Sequence, residues 1–166
     1  LKIFEAKERF VDELTNAAIQ QSIIRRNGYF SDMKDFLTMA KGGRVYLFGD
    51  GKQQLNPIHG ADLAEFCVDK MIAGSPEESV GGPDILSQNQ LASIALQAWS
   101  KPIKIYHLPD WIRKSIIWSL RTFTSSKTYG PIEFFLTAMA KDNIAQNYST
   151  HHLNEFFKEE VNKEKA

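Results

Sequence analysis

The sequence predicts an α/β fold with a mainly helical C-terminal third, and three observations carry that reading. Apolar runs of strand character at residues 22–26, 44–48 and 103–107 are separated by stretches of three- and four-residue apolar spacing. Beyond residue 109 the spacing is helical throughout. The first helix also carries a cation, Lys7, on the stripe that should face inward. With 166 residues, 43% hydrophobic content and 11 Phe, the chain has enough apolar material for the core of one domain.

The elements follow in order. Ile3, Lys7, Phe10, Val11, Leu14 and Ala18 define a helix over about 3–18, with Glu8, Asp12 and Glu13 opposite. A strand at 22–26 ends in Asn27-Gly28-Tyr29-Phe30. Ser31 is expected to cap a helix using Met33, Phe36, Leu37 and Ala40, closed by Gly42-Gly43. Arg44–Phe48 reads as a strand, Gly49–Lys52 as a turn, and 53–59 as an extended run that Pro57 confines to an edge or strand end. A helix over about 61–72 should bury Leu63, Phe66, Cys67 and Met71 and stop at Gly74.

Ser75–Pro83 reads as a polar loop, and 84–86 as a short strand. Ser87 and Gln90 form a capping box for a helix with Leu91, Ile94, Ala95 and Ala98 on one face. Residues 103–107 alternate as a strand ended by Pro109. Asp110 should cap a helix to about Phe123, Pro131 should start the next, and Thr150 should open a terminal helix that frays from Lys158.

Composition excludes several classes of function. Twenty basic and twenty acidic residues cancel, which leaves no electrostatic footprint for nucleic acid. No apolar run reaches the ~20 residues of a membrane span. The lone Cys67 excludes disulfide frameworks and cysteine-rich metal sites within the chain, so the expectation is a cytoplasmic protein. Leu1-Lys2-Ile3-Phe4 has neither an initiator Met nor a signal layout, and reads as an internal junction: either an upstream portion has been removed or the chain is a segment of a longer protein.

Candidate side chains have competing uses. Lys7 either snorkels at a helix–sheet edge or meets an anionic or hydroxyl-rich partner in a cleft. Asn27, Gly28, Tyr29 and Phe30 follow a strand, where open α/β sheets gather ligand contacts, or they form a plain turn with two core aromatics. His59 and Asp62 stand at acid/base spacing, but a capping role for Asp62 is the simpler use. His151-His152 lack further ligands at metal spacing and read as a surface feature of a helix start, so no metal site is expected. The 111–123 helix, with Trp111, Trp118, Lys114 and Arg121, reads as core or dimer packing in preference to an interfacial membrane helix.

Four stretches, in order, carry a family resemblance. Ser22-Ile23-Ile24-Arg25-Arg26-Asn27-Gly28-Tyr29-Phe30, preceded by the helix bearing Lys7, resembles the pattern TIIRPTGFF. Asn56-Pro57-Ile58-His59-Gly60-Ala61-Asp62-Leu63-Ala64 resembles NPIHVDDLA. Gly82–Ser87 leading through a helix to Lys101-Pro102, then Ile105–Pro109 entering an aromatic helix, complete the set. Together they resemble the C-terminal half of an atypical short-chain dehydrogenase/reductase, in the NmrA-like and NAD(P)-dependent epimerase-like branch.

The resemblance implies the C-terminal part of a Rossmann-type NAD(P)-binding fold with a small, largely helical substrate-binding subdomain. Residues 1–74 would belong to the Rossmann-like core, with an inserted strand pair near 44–59, and 75–166 to the substrate-binding cap. The N-terminal nucleotide-binding half, with its glycine-rich turn, would lie upstream of Leu1. NAD(P) is therefore expected for the complete fold and weak or no binding for this chain alone. The resemblance makes Lys7, Asn27 and Gly28 cofactor-binding and lines a substrate pocket with Tyr29 and Phe30. Ile3 stands where the family's Tyr-x-x-x-Lys pair has its tyrosine, and Arg26 stands where the family usually has proline. An isoleucine moves no proton, so the family's acid/base mechanism does not transfer and the catalytic residue is left unassigned.

Two kinds of whole protein fit this reading. One is an oxidoreductase or epimerase acting on a small carbonyl, sugar-like or quinone-like molecule. The other is a non-catalytic dinucleotide sensor, with a stand-alone dimerising module as a third form. Exposed strand edges predict a homodimer or association with the missing half.

Overall fold

The computed structural model describes residues 2–148 and 150–166, with side chains from Phe4 onward, so the Ile3 side chain lies outside the described residues. Helix α1 (Lys2–Thr15) leads to strand β1 (Ile23–Arg26), a 3-10 turn at Phe30–Met33 and helix α2 (Lys34–Lys41). Strands β2 (Val45–Phe48) and β3 (Gln54–Leu55) precede helix α3 (Gly60–Ala73) and strand β4 (Glu77–Val80). Then come β5 (Leu86–Ser87), α4 (Gln88–Ala98), β6 (Ile105–Leu108), α5 (Asp110–Phe123), α6 (Ser126–Ala138) and α7 (Leu153–Lys165).

The strands join in three pairs. β1 runs parallel to β4 with Ile23 opposite Glu77, and β2 runs parallel to β6 with Val45 opposite Ile105. β3 lies antiparallel to β5. The strands at 44–48 and 53–59 therefore do not pair with each other, because Gly49–Lys52 carries the chain from one pair to another. The expected loop at 75–83 contains β4, since its backbone completes β1 whatever the polarity of Glu77 and Glu78.

Period-two alternation in β2 buries Val45 and Leu47 against α2 and α4 and sends Tyr46 outward, where it stacks on Tyr106 at 5.5 Å. The larger core joins Phe36, Leu37 and Ala40 of α2, Leu91, Ala95 and Leu96 of α4, and Leu153, Phe157 and Val161 of α7. A smaller core holds Ile58, Leu63, Phe66 and Val80, with Ile24 of β1 packed on it.

Several boundaries depart from expectation for identifiable reasons. The Ser87–Gln90 capping box forms as read, but Ser31 sits inside the 3-10 turn and caps nothing. His59, not Asp62, caps α3 by accepting from the Ala61 N–H at 3.3 Å. Met71 is 63% exposed, because α3 packs on its small core through Leu63, Phe66 and the half-buried Cys67, and Met71 lies beyond them. α6 begins at Ser126 and tolerates Pro131 within its first turns. α7 continues to Lys165 where fraying was expected, because Val161 is buried and Glu160 pairs with Lys34 and Lys163.

Removal of residues 158–166 should therefore destabilise the protein. Loss of Val161 burial alone corresponds to roughly 1.5–3 kcal/mol, which urea unfolding of the truncated chain would report as a lower midpoint at unchanged slope. An unchanged midpoint would mean that the last two turns of α7 do not stabilise the core.

Candidate functional site

A groove of about 1740 Å³ lies between α1 and α6. Its floor is β1, with every residue from Ser22 to Gly28 contributing. Phe10, Val11 and Leu14 of α1 form one wall; Phe134, Phe135 and Met139 form the other. Phe4 and Phe134 meet across it with ring centroids 5.3 Å apart. The apolar stripe read from the first helix thus faces the groove and not a filled core, and Phe10 is 60% exposed.

Arg25 sets the position of α1. Its guanidinium forks onto Glu8 at 2.6 and 2.9 Å while its Nε–H donates to Glu77. These bonds hold the Glu8 carboxyl below its usual range and raise Arg25 further. Lys7, the neighbour of Glu8, is exposed and lines the same groove as Asn27 and Gly28. Tyr29 and Phe30 are not among the lining residues. Phe30 is 2% exposed and packs against the His59 and Phe156 rings, so it serves the core. Arg26 lies over the Tyr29 ring, 3.8 Å from its centroid, a cation–π contact that a proline at this position could not make.

Behind the groove floor lies a network of amides. Both amide hydrogens of Asn27 are engaged, one by Asn56 Oδ1 and one by the Asn143 carbonyl at 2.8 Å. The Asn27 carbonyl accepts from Asn143 Nδ2 at 2.9 Å, which leaves Oδ1 as the group Asn27 can present to a ligand. Asn56 is fully buried; the two hydrogens on its Nδ2 are shared among three acceptors, Gly82 O at 3.1 Å, Ala145 O at 3.0 Å and Asn147 Oδ1 at 2.9 Å. The chain at 81–82 passes so close that a Cβ on Gly82 would lie 2.0 Å from the Pro57 carbonyl. Gly28, at φ 139, occupies backbone space that disfavours any side chain.

A second polar cluster forms where sequence spacing gave no warning. His151, remote in the chain, bonds through Nδ1 to Asp62 Oδ1 at 2.6 Å, and its ring stacks on His59 at 4.4 Å. Asp62 is 3% exposed, and its second oxygen is buried without a hydrogen-bond partner among the described residues. The three ligand-type atoms lie within 4.8 Å of one another. Their present contacts are those of a clasp: the His59 Nδ1 that accepts from Ala61 leaves its neutral ring protonated on Nε2, and the rings lie nearly parallel.

No family model matches this sequence, and no curated protein matches it. Solved structures do resemble it. A nucleoside-diphosphate-sugar epimerase from Staphylococcus aureus superposes with a TM-score of 0.57 at 13% identity, over 89% of this chain and 55% of that one. A GDP-6-OMe-4-keto-L-xylo-heptose reductase from Campylobacter jejuni gives 0.51 at 10% identity, over 87% and 52%. The chain spans about half the length of each. Its fold resembles that of the C-terminal part of these epimerase and reductase structures, as the strand and turn patterns implied.

Replacing Asn56 by alanine should strand several buried partners at once and cost roughly 3 kcal/mol or more in thermal or urea unfolding. The His151→Ala change should cost about 1–3 kcal/mol, because it leaves the buried Asp62 carboxylate without its donor. A cycle with Asp62→Ala should then show coupling between the two; additive losses would mean that the clasp contributes nothing of its own.

Proposed function

We propose that this chain is the substrate-side portion of an NAD(P)-dependent oxidoreductase or epimerase-like protein acting on a small carbonyl, sugar-like or quinone-like molecule. The observation that carries the reading is the groove: Lys7, Asn27 and Gly28 all line it, the last two at the C-terminal end of a parallel strand, in a fold shared with the C-terminal part of such structures. β1 pairs with β4 on one side and opens into the groove along its whole length, so a further strand can add there. In this reading residues 1–74 complete the Rossmann-like core and 75–166 form the substrate-side cap. The strand pairs β1–β4 and β2–β6 tie the two portions together.

The residues present fit one end of a dinucleotide. The Lys7 ammonium donates to ribose hydroxyls, Asn27 Oδ1 accepts from one, and Gly28 lets the chain approach closely. Tyr29, steadied by Arg26, borders the substrate, with Phe30 backing it from the core. Among the described residues no glycine-rich turn joins a strand to a helix N-terminus in the manner a pyrophosphate needs. That part of the site belongs to a nucleotide-binding segment seated against the groove, or a second copy closes the open edge as a homodimer. Bound NAD(P) would supply hydride chemistry, while this chain orients the ribose and encloses the substrate. A cytoplasmic setting suits the single, half-buried thiol of Cys67.

A non-catalytic dinucleotide sensor is the second reading, favoured by Ile3 in the position of the family's tyrosine. The two part over turnover: a sensor binds dinucleotide and oxidises or reduces nothing.

Fluorescence titration of this chain with NADPH should show no saturation at low micromolar concentration. In a longer protein that includes a glycine-rich turn, Lys7→Met should weaken NADPH binding by one to two decades, equivalent to about 1–3 kcal/mol, with little change in unfolding. Undiminished affinity would remove Lys7 from the site. Sedimentation should give a dimer or self-association for the isolated chain; a well-behaved monomer would argue against recruitment at the β1 edge.

A further inference from the structure

We propose that the outer face of α5 is a membrane-interface site, through which Trp111 and Trp118 seat the chain on a phospholipid surface with anionic headgroups. Both indoles are about two-thirds exposed, at 65% and 66%. Seven residues apart, they fall on one stripe of the helix, roughly 10 Å from each other along its axis. No residue of α5 is buried, so the core or dimer-type packing expected from its aromatics does not include a core contact on this face.

The hydroxyls beside the indoles oppose entry into lipid less than free hydroxyls would. Ser115 lies between the tryptophans and Thr122 just beyond them. Their hydroxyls donate back to the Trp111 and Trp118 carbonyls at 2.9 and 2.8 Å. Each enters an apolar layer with its hydrogen already bonded, which removes most of the desolvation cost. Phe123, 79% exposed, and Ile116 extend the apolar sector on one flank. Lys114 and Arg121 stand one turn-pair apart on the other, with long stems able to reach headgroups.

Charge follows the same division. Residues 110–133 carry four basic and two acidic side chains in a chain whose total is neutral. Those two acids lie off the tryptophan stripe: Asp110 holds Arg113 and Lys114 from the helix start, and Glu133 reaches Arg121 from α6 while almost buried. α5 has 14 residues, and among the described residues no helix is long and apolar enough to cross a membrane. A helix of about 21 Å with indoles on one face and cations at its flank lies in the interface plane. The groove is lined by none of α5, so a docked chain keeps it open.

The third tryptophan provides an internal reference. The half-buried Trp99 packs against the larger core and its indole N–H donates to the Leu37 carbonyl at 3.0 Å, so its emission should not respond to lipid. Vesicles of phosphatidylcholine with phosphatidylglycerol should shift the chain's tryptophan emission to the blue, and brominated phosphatidylcholine in them should quench it. The double change Trp111→Ser with Trp118→Ser should abolish the shift and reduce co-sedimentation with vesicles about tenfold or more. Each of Lys114→Ala and Arg121→Ala should weaken binding to phosphatidylglycerol vesicles about fivefold and leave binding to pure phosphatidylcholine unchanged. Unaltered emission of the unsubstituted chain at saturating lipid would overturn the proposal without recourse to any variant. So would a blue shift that grows with protein concentration in lipid-free solution as the scattering mass doubles, since the face would then join two copies.

Discussion

The side-chain amide of Asn56 is the constraint on which the arrangement depends. It bonds to the turn after β1, to the backbone after β4 and to the segment around residue 145. No helix or long sheet spans these pieces; the strand pairs are short and separate. A buried amide with its donors and acceptor all engaged is both a strong tie and a directional one. It fixes where Asn27 lies, and through Arg25 and the Glu8 fork the position of α1 follows from the same floor. The groove therefore keeps its shape by polar connection, while its walls remain apolar.

Local chemistry was legible where it decides structure alone. The Ser87–Gln90 box, the glycine stop at Gly74 and the alternation in β2 each act within a few residues, and each formed. Failures came where distant chain overrides composition. Glu77–Val80 looks like a loop until β1 supplies a partner. Lys158–Ala166 looks like a fraying tail until Val161 finds the α2–α4 core. Met71 keeps the helix period but has nothing opposite it.

The site was legible in the same proportion. Lys7, Asn27 and Gly28 share one groove, as the order of their elements suggested, whereas the aromatic pair after them divides between a cation–π contact and the core. Asn56 stood inside a recognised stretch, yet its partners at 143–147 carry no periodic signal. His151 was read as a surface residue because Asp62 lies 89 positions away, and no spacing rule operates over such a separation. A polar residue set between Leu55 and Pro57-Ile58 was the available hint that a buried amide waits for partners.

The amide network also sets an order of events during folding. Asn27 and Asn143 are 116 residues apart, and β1 meets β4 across a long crossover, so these closures come only after much chain entropy has been surrendered. Helices α2 and α4 are separated by far less chain than Asn27 and Asn143 and pack directly together, so they can collapse before that tie closes. Until β4 pairs with it, β1 offers both its edges to other chains, and until the 143–147 segment docks the turn after it is untied. Arg25 and Arg26 occupy half of that short strand. Two guanidinium groups there keep a nascent, unpaired Ile23-Ile24 from templating aggregation while the last tie is still open.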